Sequence, residues 1–122
     1  MRYSERVAPA PNITVLQTLA FSNAAMPVIG REGIEAVAEY LLANPLAGDV
    51  IPHSSGARKL RWAAKGKGKR GGVRLIYHYL VIADRIYLLD CYAKNEKSDL
   101  SPLETKRLAQ LIRQLKEKYR AS

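Results

Sequence analysis

The chain is poor in the residues that support disulfide, thiol and metal chemistry. It contains one cysteine and two histidines in 122 residues. The single cysteine, Cys91, cannot form an internal disulfide, so a reducing cytoplasm is the expected setting. Its apolar neighbours favour a role as a small buried hydrophobic residue. Because His53 and His78 lack further ligands at metal-binding spacing, we predict a structural role for each and no metal or other cofactor.

Long apolar runs are also missing. The longest of them, such as residues 36–43, are interrupted by Glu39 or fall well short of the roughly 20 residues of a membrane helix. No secretory signal is recognisable, and a hydrophobic content of 48% predicts a folded protein. We therefore predict a cytoplasmic protein without a membrane partner, with an N-terminal arm at residues 1–12 and a single domain at residues 13–122.

Acidic residues are absent from the part of the chain that is richest in basic ones. Residues 58–74 hold eight of the 20 Lys and Arg residues and none of the 11 Asp and Glu residues, which accounts for +8 of the formal net charge of +9. A charge this concentrated indicates a site rather than a generally solubilising surface. Nucleic acid is the commonest polyanion that such a patch attracts. The basic residues are Arg58, Lys59, Arg61, Lys65, Lys67, Lys69, Arg70 and Arg74.

The first half of the chain is predicted to be mainly helical. Residues 31–44 place apolar side chains on one face and glutamates elsewhere, which is typical of an amphipathic helix that ends before Pro45. Residues 13–19 fit either a strand or the start of a short helix, and the pattern leaves both open. Residues 45–56 are rich in proline, glycine and serine and are predicted to form a loop.

The second half is predicted to form an antiparallel meander. Its first strand alternates basic and apolar side chains, with Lys59 and Arg61 on one side, as in a half-buried strand. The later strands are rich in β-branched and aromatic residues. The predicted strands span residues 58–63, 73–83 and 86–92, joined by a glycine-rich connection at 65–72 and a turn at Asp84 and Arg85.

The last predicted element is a helix with a defined start. Ser101 is predicted as its N-cap and Pro102 as its first helical residue, while Glu104 completes a capping box. The order of elements predicts an α+β domain, in which N-terminal helices and a C-terminal helix pack on one face of a small antiparallel sheet.

The available side chains suit phosphate chemistry better than metal or nucleophile chemistry. Arg, Lys and Tyr side chains around a sheet can hold a phosphate backbone through salt-dependent contacts. They can also stabilise the negative charge of a pentacoordinate phosphorane while the 2′-hydroxyl of an RNA substrate attacks. A lysine among other cations can then serve as acid or base. Composition alone leaves passive binding and catalysis open.

A set of short motifs stands in order in the second half of the chain. They are Gly-Asp-Val-Ile-Pro at 48–52, Arg-Lys-Leu-Arg-Trp at 58–62, Gly-Lys-Arg-Gly-Gly-Val-Arg-Leu-Ile-Tyr at 68–77, Ile-Tyr-Leu-Leu at 86–89 and Tyr-Ala-Lys-Asn-Glu-Lys-Ser-Asp-Leu-Ser at 92–101. With these motifs the chain resembles the RelE/ParE toxin superfamily, most closely the HigB-like toxins of type II toxin–antitoxin modules. The resemblance covers roughly residues 44–115.

The resemblance implies a RelE-like α+β fold with two N-terminal helices, and an mRNA interferase that acts in the ribosomal decoding site. The implied reaction is attack of a 2′-hydroxyl on the adjacent phosphate, which gives a 2′,3′-cyclic phosphate and a 5′-hydroxyl. The implied partners are mRNA on the ribosome and a cognate antitoxin, often a helix-turn-helix protein, with DNA contacted only through the toxin–antitoxin complex. Two alternatives stay open, a ParE-like gyrase poison and an inactive member that only binds RNA or its antitoxin.

The same resemblance implies a set of site residues. Lys59 and Arg61 match two basic positions on the strand before the hairpin, and Arg74 matches the arginine that contacts the scissile phosphate. Lys94 and Lys97 fall in the basic segment after the last strand. These five residues are the predicted catalytic set. A second set of cations is predicted to bind the RNA backbone: Arg58, Lys65, Lys67, Lys69 and Arg70.

Two positions depart from the RelE pattern. Asn95 stands where RelE toxins have an arginine, and Ser101 stands where they have a tyrosine. HigB-like toxins differ from RelE in the same way. Tyr92, Tyr77 and Tyr79 are candidates to replace the missing tyrosine, so the sequence leaves the assignment of acid and base open.

Overall fold

A five-stranded sheet and two α-helices make up the structure, a computed structural model that describes residues 12–64 and 72–120. The prediction of an α+β domain is confirmed. In chain order the elements are β1 (Thr14–Gln17), α1 (Leu19–Ala43), β2 (Asp49–Val50), β3 (Arg58–Trp62), β4 (Val73–Leu80), a short 3₁₀-helix (Val81–Ala83), β5 (Arg85–Ala93) and α2 (Pro102–Arg120).

Residues 13–19, for which the sequence pattern leaves strand and helix open, form strand β1 and then the N-cap of α1. Thr18, directly after β1, is the N-cap of α1, and its hydroxyl accepts a hydrogen bond of 3.1 Å from the Phe21 N–H. Helix α1 therefore begins well before residue 31, and the predicted helix of residues 31–44 corresponds to its second part. It is one element of 25 residues with an internal break at Gly30, where φ is +69° and ψ is 178°. Glycine adopts this backbone conformation without a Cβ clash.

The sheet is mixed rather than antiparallel, which corrects the predicted topology. Strands β2, β3, β4 and β5 pair antiparallel, but β1 pairs with β5 in parallel, with Thr14 opposite Arg85 and Gln17 opposite Leu88. Because β1 is a four-residue edge strand whose partner lies about 70 residues along the chain, tertiary packing decides its direction and no local pattern predicts it.

The two helices lie on opposite faces of the sheet, so the prediction of both on one face was wrong. Helix α1 packs on the face that carries Val73, Leu75 and Tyr77, whereas α2 packs over Ile76 and Leu89. Alternate residues of β4 therefore enter two separate cores. The strand is buried at nearly every position, as a central strand with a helix on each side must be.

Helix α2 begins as the sequence predicted. The Glu104 N–H donates to Ser101 Oγ at 3.1 Å, and the Ser101 N–H donates to Glu104 Oε1 at 2.8 Å, which confirms the capping box. On the sheet side of α2, Ile112 is fully buried in the second core. The capping box thus fixes where α2 starts, directly after the segment that carries Lys97.

Other boundaries differ in detail. The predicted loop at 45–56 includes the short strand β2, and the predicted strand at 73–83 ends at Leu80. Cys91 is 5% exposed, as expected for a small buried residue, and burial raises its pKa to about 12. The predicted arm, apart from residue 12, and most of the glycine-rich connection lie outside the described residues.

Candidate functional site

Three polar side chains stand in a line across the three inner strands of the sheet, near the end of β3, the start of β4 and the end of β5. The register places Arg61 of β3 opposite Arg74 of β4, and Arg74 opposite Tyr92 of β5. Residues directly opposite each other on neighbouring strands project from the same face, with Cβ atoms about 5 Å apart. All three side chains therefore lie on the face that also carries α2. We call Arg61, Arg74 and Tyr92 the cross-strand row.

Two of the three buried side-chain polar atoms that lack a hydrogen-bond partner among the described residues belong to this row, and the third is Nε2 of His78. Arg74 is 9% exposed and Tyr92 is 6% exposed. Within the described residues, Nη1 of Arg74 and Oη of Tyr92 make no hydrogen bond. A buried donor without an acceptor costs about 1–3 kcal/mol, and more when it is charged. Such a cost is typical of a site organised for a ligand that supplies acceptors, and phosphate oxygens are the acceptors that arginine binds best.

Lys59 lies beside the cross-strand row and is already paired. It projects from the same face of β3 as Arg61, two residues away. Its Nζ donates to Oδ1 of Asp99 at 3.2 Å, and the two side chains are 30% and 64% exposed. An ion pair this exposed contributes little net free energy. A phosphate group can therefore replace Asp99 on Lys59 at small cost.

Lys97 joins the row from the segment between β5 and α2. Its Nζ lies 4.9 Å from the centre of the Tyr92 ring, within the range of a cation–π contact. The same Nζ forms an ion pair with Glu104, a residue of the capping box. Lys97 therefore links the start of α2 to the ring of Tyr92.

The ionisable groups around the row differ in the direction of their pKa shifts. Burial raises the pKa of Tyr92, assisted by the negative charge of Asp99 and opposed by Arg74. Burial also raises the pKa of Asp90, which lies two residues before Tyr92 on β5. In contrast, hydrogen bonds from the Leu100 N–H and from Lys59 lower the pKa of Asp99. The site thus combines a protonated phenol, a carboxyl shifted towards neutrality and a carboxylate held ionised.

The predicted RNA-binding residues have different surroundings. Nη1 of Arg58 donates to the carbonyl oxygens of Leu46 and Gly48, at 3.2 and 2.7 Å, so this side chain holds the segment before β2. Lys94, a predicted catalytic residue, is exposed just after β5. The glycine-rich connection carries the remaining predicted cations, which lie outside the described residues: Lys65, Lys67, Lys69 and Arg70.

An aromatic surface lies at the β3 side of the sheet, on the α1 face and so opposite to the face of the row. A cavity of about 360 Å³ is lined by Arg61 together with Tyr40 and Trp62. The rings of Tyr40 and Trp62 meet edge to face, with centroids 5.6 Å apart. Aromatic side chains beside cations are a common platform for unpaired bases of nucleic acids.

The sequence did not identify the acidic members of this site. The sequence offers Asp90 only as an ion-pair partner of Arg74 and Asp99 only as one of Lys97, whereas in the structure Asp99 pairs with Lys59. Their proximity to the cations depends on the register of β5 and on the course of the segment that follows it. The structure also removes Tyr77 from the three tyrosines that could replace the missing tyrosine of the RelE pattern. Tyr77 is fully buried on the α1 side, where it bonds to Gly48 and Pro45.

No model of a known protein family matches the chain. Among the described residues, no helix has the length and apolar character needed to cross a membrane. The same part of the chain contains no group of three or more His, Cys, Asp or Glu side chains placed to hold a metal ion.

Proposed function

We propose that the chain is a RelE-like toxin of the HigB type, from a type II toxin–antitoxin module, that cleaves mRNA on the ribosome in the cytoplasm. The observation that carries this proposal is the buried Arg74, whose Nη1 has no partner within the described residues and which lies between Arg61 and Tyr92. Fixed cations next to a buried phenol suit a phosphodiester whose charge increases in the transition state.

Each residue of the site has a role in this proposal. Arg74 and Arg61 hold the non-bridging oxygens of the scissile phosphate, and Lys59 adds a third cation once Asp99 is displaced. The substrate's own 2′-hydroxyl attacks, and Tyr92 donates a proton to the leaving 5′-oxygen. A tyrosine is protonated at neutral pH, as a proton donor must be, and the positive charge of Arg74 opposes the rise in the pKa of Tyr92 that would weaken it as an acid.

The remaining predicted cations serve docking in this proposal. Lys94 and Lys97 border the site, and the cations of the glycine-rich connection bind the RNA backbone. Contacts of this kind add affinity that falls as the salt concentration rises. We also infer a cognate antitoxin, a helix-turn-helix protein through which the complex reaches DNA.

The test is cleavage of an mRNA that is being translated on purified ribosomes, with the new 5′-hydroxyl ends mapped. We expect Arg61→Ala to lower the cleavage rate about 10²–10³-fold, the usual effect of removing one donor to a charged transition state. Arg31→Ala, which removes another exposed arginine, from α1 on the other side of the sheet, serves as the control and leaves the rate unchanged. A single 2′-deoxy substitution at the scissile position blocks cleavage.

A second candidate function is RNA or antitoxin binding without catalysis. It is favoured by the ion pairs that Lys59 and Lys97 form in the free protein, with Asp99 and Glu104. Wild-type protein that binds RNA with a steep salt dependence, but leaves translated mRNA intact, would establish this function instead. Intact mRNA together with DNA damage signalling in expressing cells would indicate a ParE-like action on gyrase.

A further inference from the structure

The pairing of β4 with β5 contains a bulge beside the cross-strand row. Ile76 is opposite Asp90, whereas the next residue, Tyr77, is opposite Leu88, so Leu89 is an extra residue in β5. A bulge interrupts the alternation of side chains and directs two successive residues to one face. Leu89 packs with Ile76 in the core under α2, and Asp90 lies opposite Ile76, so both side chains lie on the face of the row.

Thr18, which follows β1 directly, fixes the bulge through hydrogen bonds to β5. Its hydroxyl lies 3.0 Å from the carbonyl oxygen of Leu88 and 3.2 Å from that of Leu89, and its backbone N–H donates to Leu88 at 3.1 Å. The same hydroxyl oxygen caps α1 by accepting the Phe21 N–H. One threonine therefore holds together the start of α1 and the irregular part of β5.

Asp90 has the surroundings of a proton acceptor. One oxygen, Oδ1, accepts the Cys91 N–H at 2.8 Å, which orients the carboxyl group. The charged groups that act on it are Lys97, from the segment after β5, and Glu104 of α2. Burial is the largest influence on its pKa, which lies above the ordinary value of an aspartate. A base with such a raised pKa accepts a proton more readily near neutral pH.

We propose that Asp90 accepts the proton of the attacking ribose 2′-hydroxyl. This inference rests on the proposed function and deepens it. The 2′-oxygen forms the new bond to phosphorus while its proton passes to the carboxylate of Asp90. The bond from phosphorus to the 5′-oxygen breaks, and that oxygen takes the Tyr92 proton. Asp90 then releases its proton to water and Tyr92 regains one from water, so the enzyme returns to its starting state.

The test compares Asp90→Asn with wild type in single-turnover cleavage of mRNA on ribosomes. Asparagine keeps an oxygen that accepts the Cys91 N–H, so the bulge is preserved. We expect the cleavage rate to fall about 10²–10⁴-fold, the usual contribution of a general base, while the affinity for the programmed ribosome stays within about twofold. Asp90→Glu, which keeps a carboxyl group one methylene away, retains more activity than Asp90→Asn.

The control is Asp84→Asn, the same change of charge in an exposed turn at the start of β5. Asp84 has a φ of +52°, a conformation that asparagine adopts readily. We expect the cleavage rate of the wild type to rise with pH to a plateau. The cleavage rate of Asp90→Asn should not show this rise. If the wild type cleaves mRNA and Asp90→Asn cleaves it equally fast, the role of Asp90 is overturned but the proposed function stands. If the wild type leaves translated mRNA intact, the proposed function itself is overturned.

Discussion

Arg74 and Tyr92 lie directly opposite each other on β4 and β5, and each has a buried polar atom that makes no hydrogen bond within the described residues. The positive charge of Arg74 also opposes the rise in the pKa of Tyr92. Two adjacent groups of this kind lower the stability of the free protein, and a bound phosphate would supply the acceptors they lack. The relationship makes the cross-strand row the best candidate for the proposed phosphate site.

The ion pair between Lys59 and Asp99 should weaken RNA binding. We expect Asp99→Asn to increase the affinity for a short single-stranded RNA up to about fivefold, because an exposed ion pair of about 0.2–1 kcal/mol no longer competes with phosphate. Fluorescence anisotropy at low and high salt measures this. The control is Glu96→Gln, which makes the same change of charge at an exposed position in the same segment. Equal gains from both variants would show that only net charge matters.

Thr18 should contribute to stability through both of its roles. Thr18→Val keeps the shape of the side chain and removes the hydroxyl, so α1 loses its cap and the bulge in β5 loses its hydrogen bonds. We expect a loss of about 1–2 kcal/mol in the free energy of unfolding, measured by urea denaturation. Thr14→Val, at an exposed position of β1, is the matched control and should change stability little. A similar small effect at both positions would contradict the role of Thr18.

Asp90 should make stability fall as the pH rises. Its pKa is higher in the folded protein than in the unfolded chain, so the unfolded chain loses this proton first. The stability that the protonated group provides is complete below the unfolded pKa and is lost as the pH passes the folded pKa. We therefore expect Asp90→Asn to be more stable than wild type at neutral pH, with the difference shrinking under acid conditions. Thermal unfolding across a pH series measures it, and a difference that grew on acidification would contradict the burial of this carboxyl.

The RNA-binding role of the cations in the glycine-rich connection stays a prediction, because these residues lie outside the described part of the chain: Lys65, Lys67, Lys69 and Arg70. The sequence assigns them to docking because glycines on both sides make a poor scaffold for reacting groups. The strand cations lie on described elements of the sheet: Lys59 and Arg61 lie on β3, and Arg74 lies on the central strand β4. This contrast keeps docking and chemistry on separate parts of the chain.

The sequence by itself determined those features that depend on local chemistry. The capping box at Ser101 and Glu104 follows from side chains three residues apart, which bond to each other's backbone. The face shared by Lys59 and Arg61 follows from the alternation of side chains along a strand. The sequence also predicts the part of α1 that follows Gly30, whereas the start of α1 at Thr18 falls in a segment whose pattern leaves strand and helix open.

Tertiary structure alone decided the features that join distant parts of the chain. The parallel pairing of β1 with β5 and the positions of the helices on opposite faces depend on packing between residues far apart in sequence. The bulge at Leu89 shifts the register of β5 by one residue, which no local pattern records, and brings Asp90 to the face of Arg74 and Tyr92. The sequence thus identified the cations of the site, whereas the register of the sheet determined that the phenol of Tyr92 and the carboxyl of Asp90 lie on the same face as those cations.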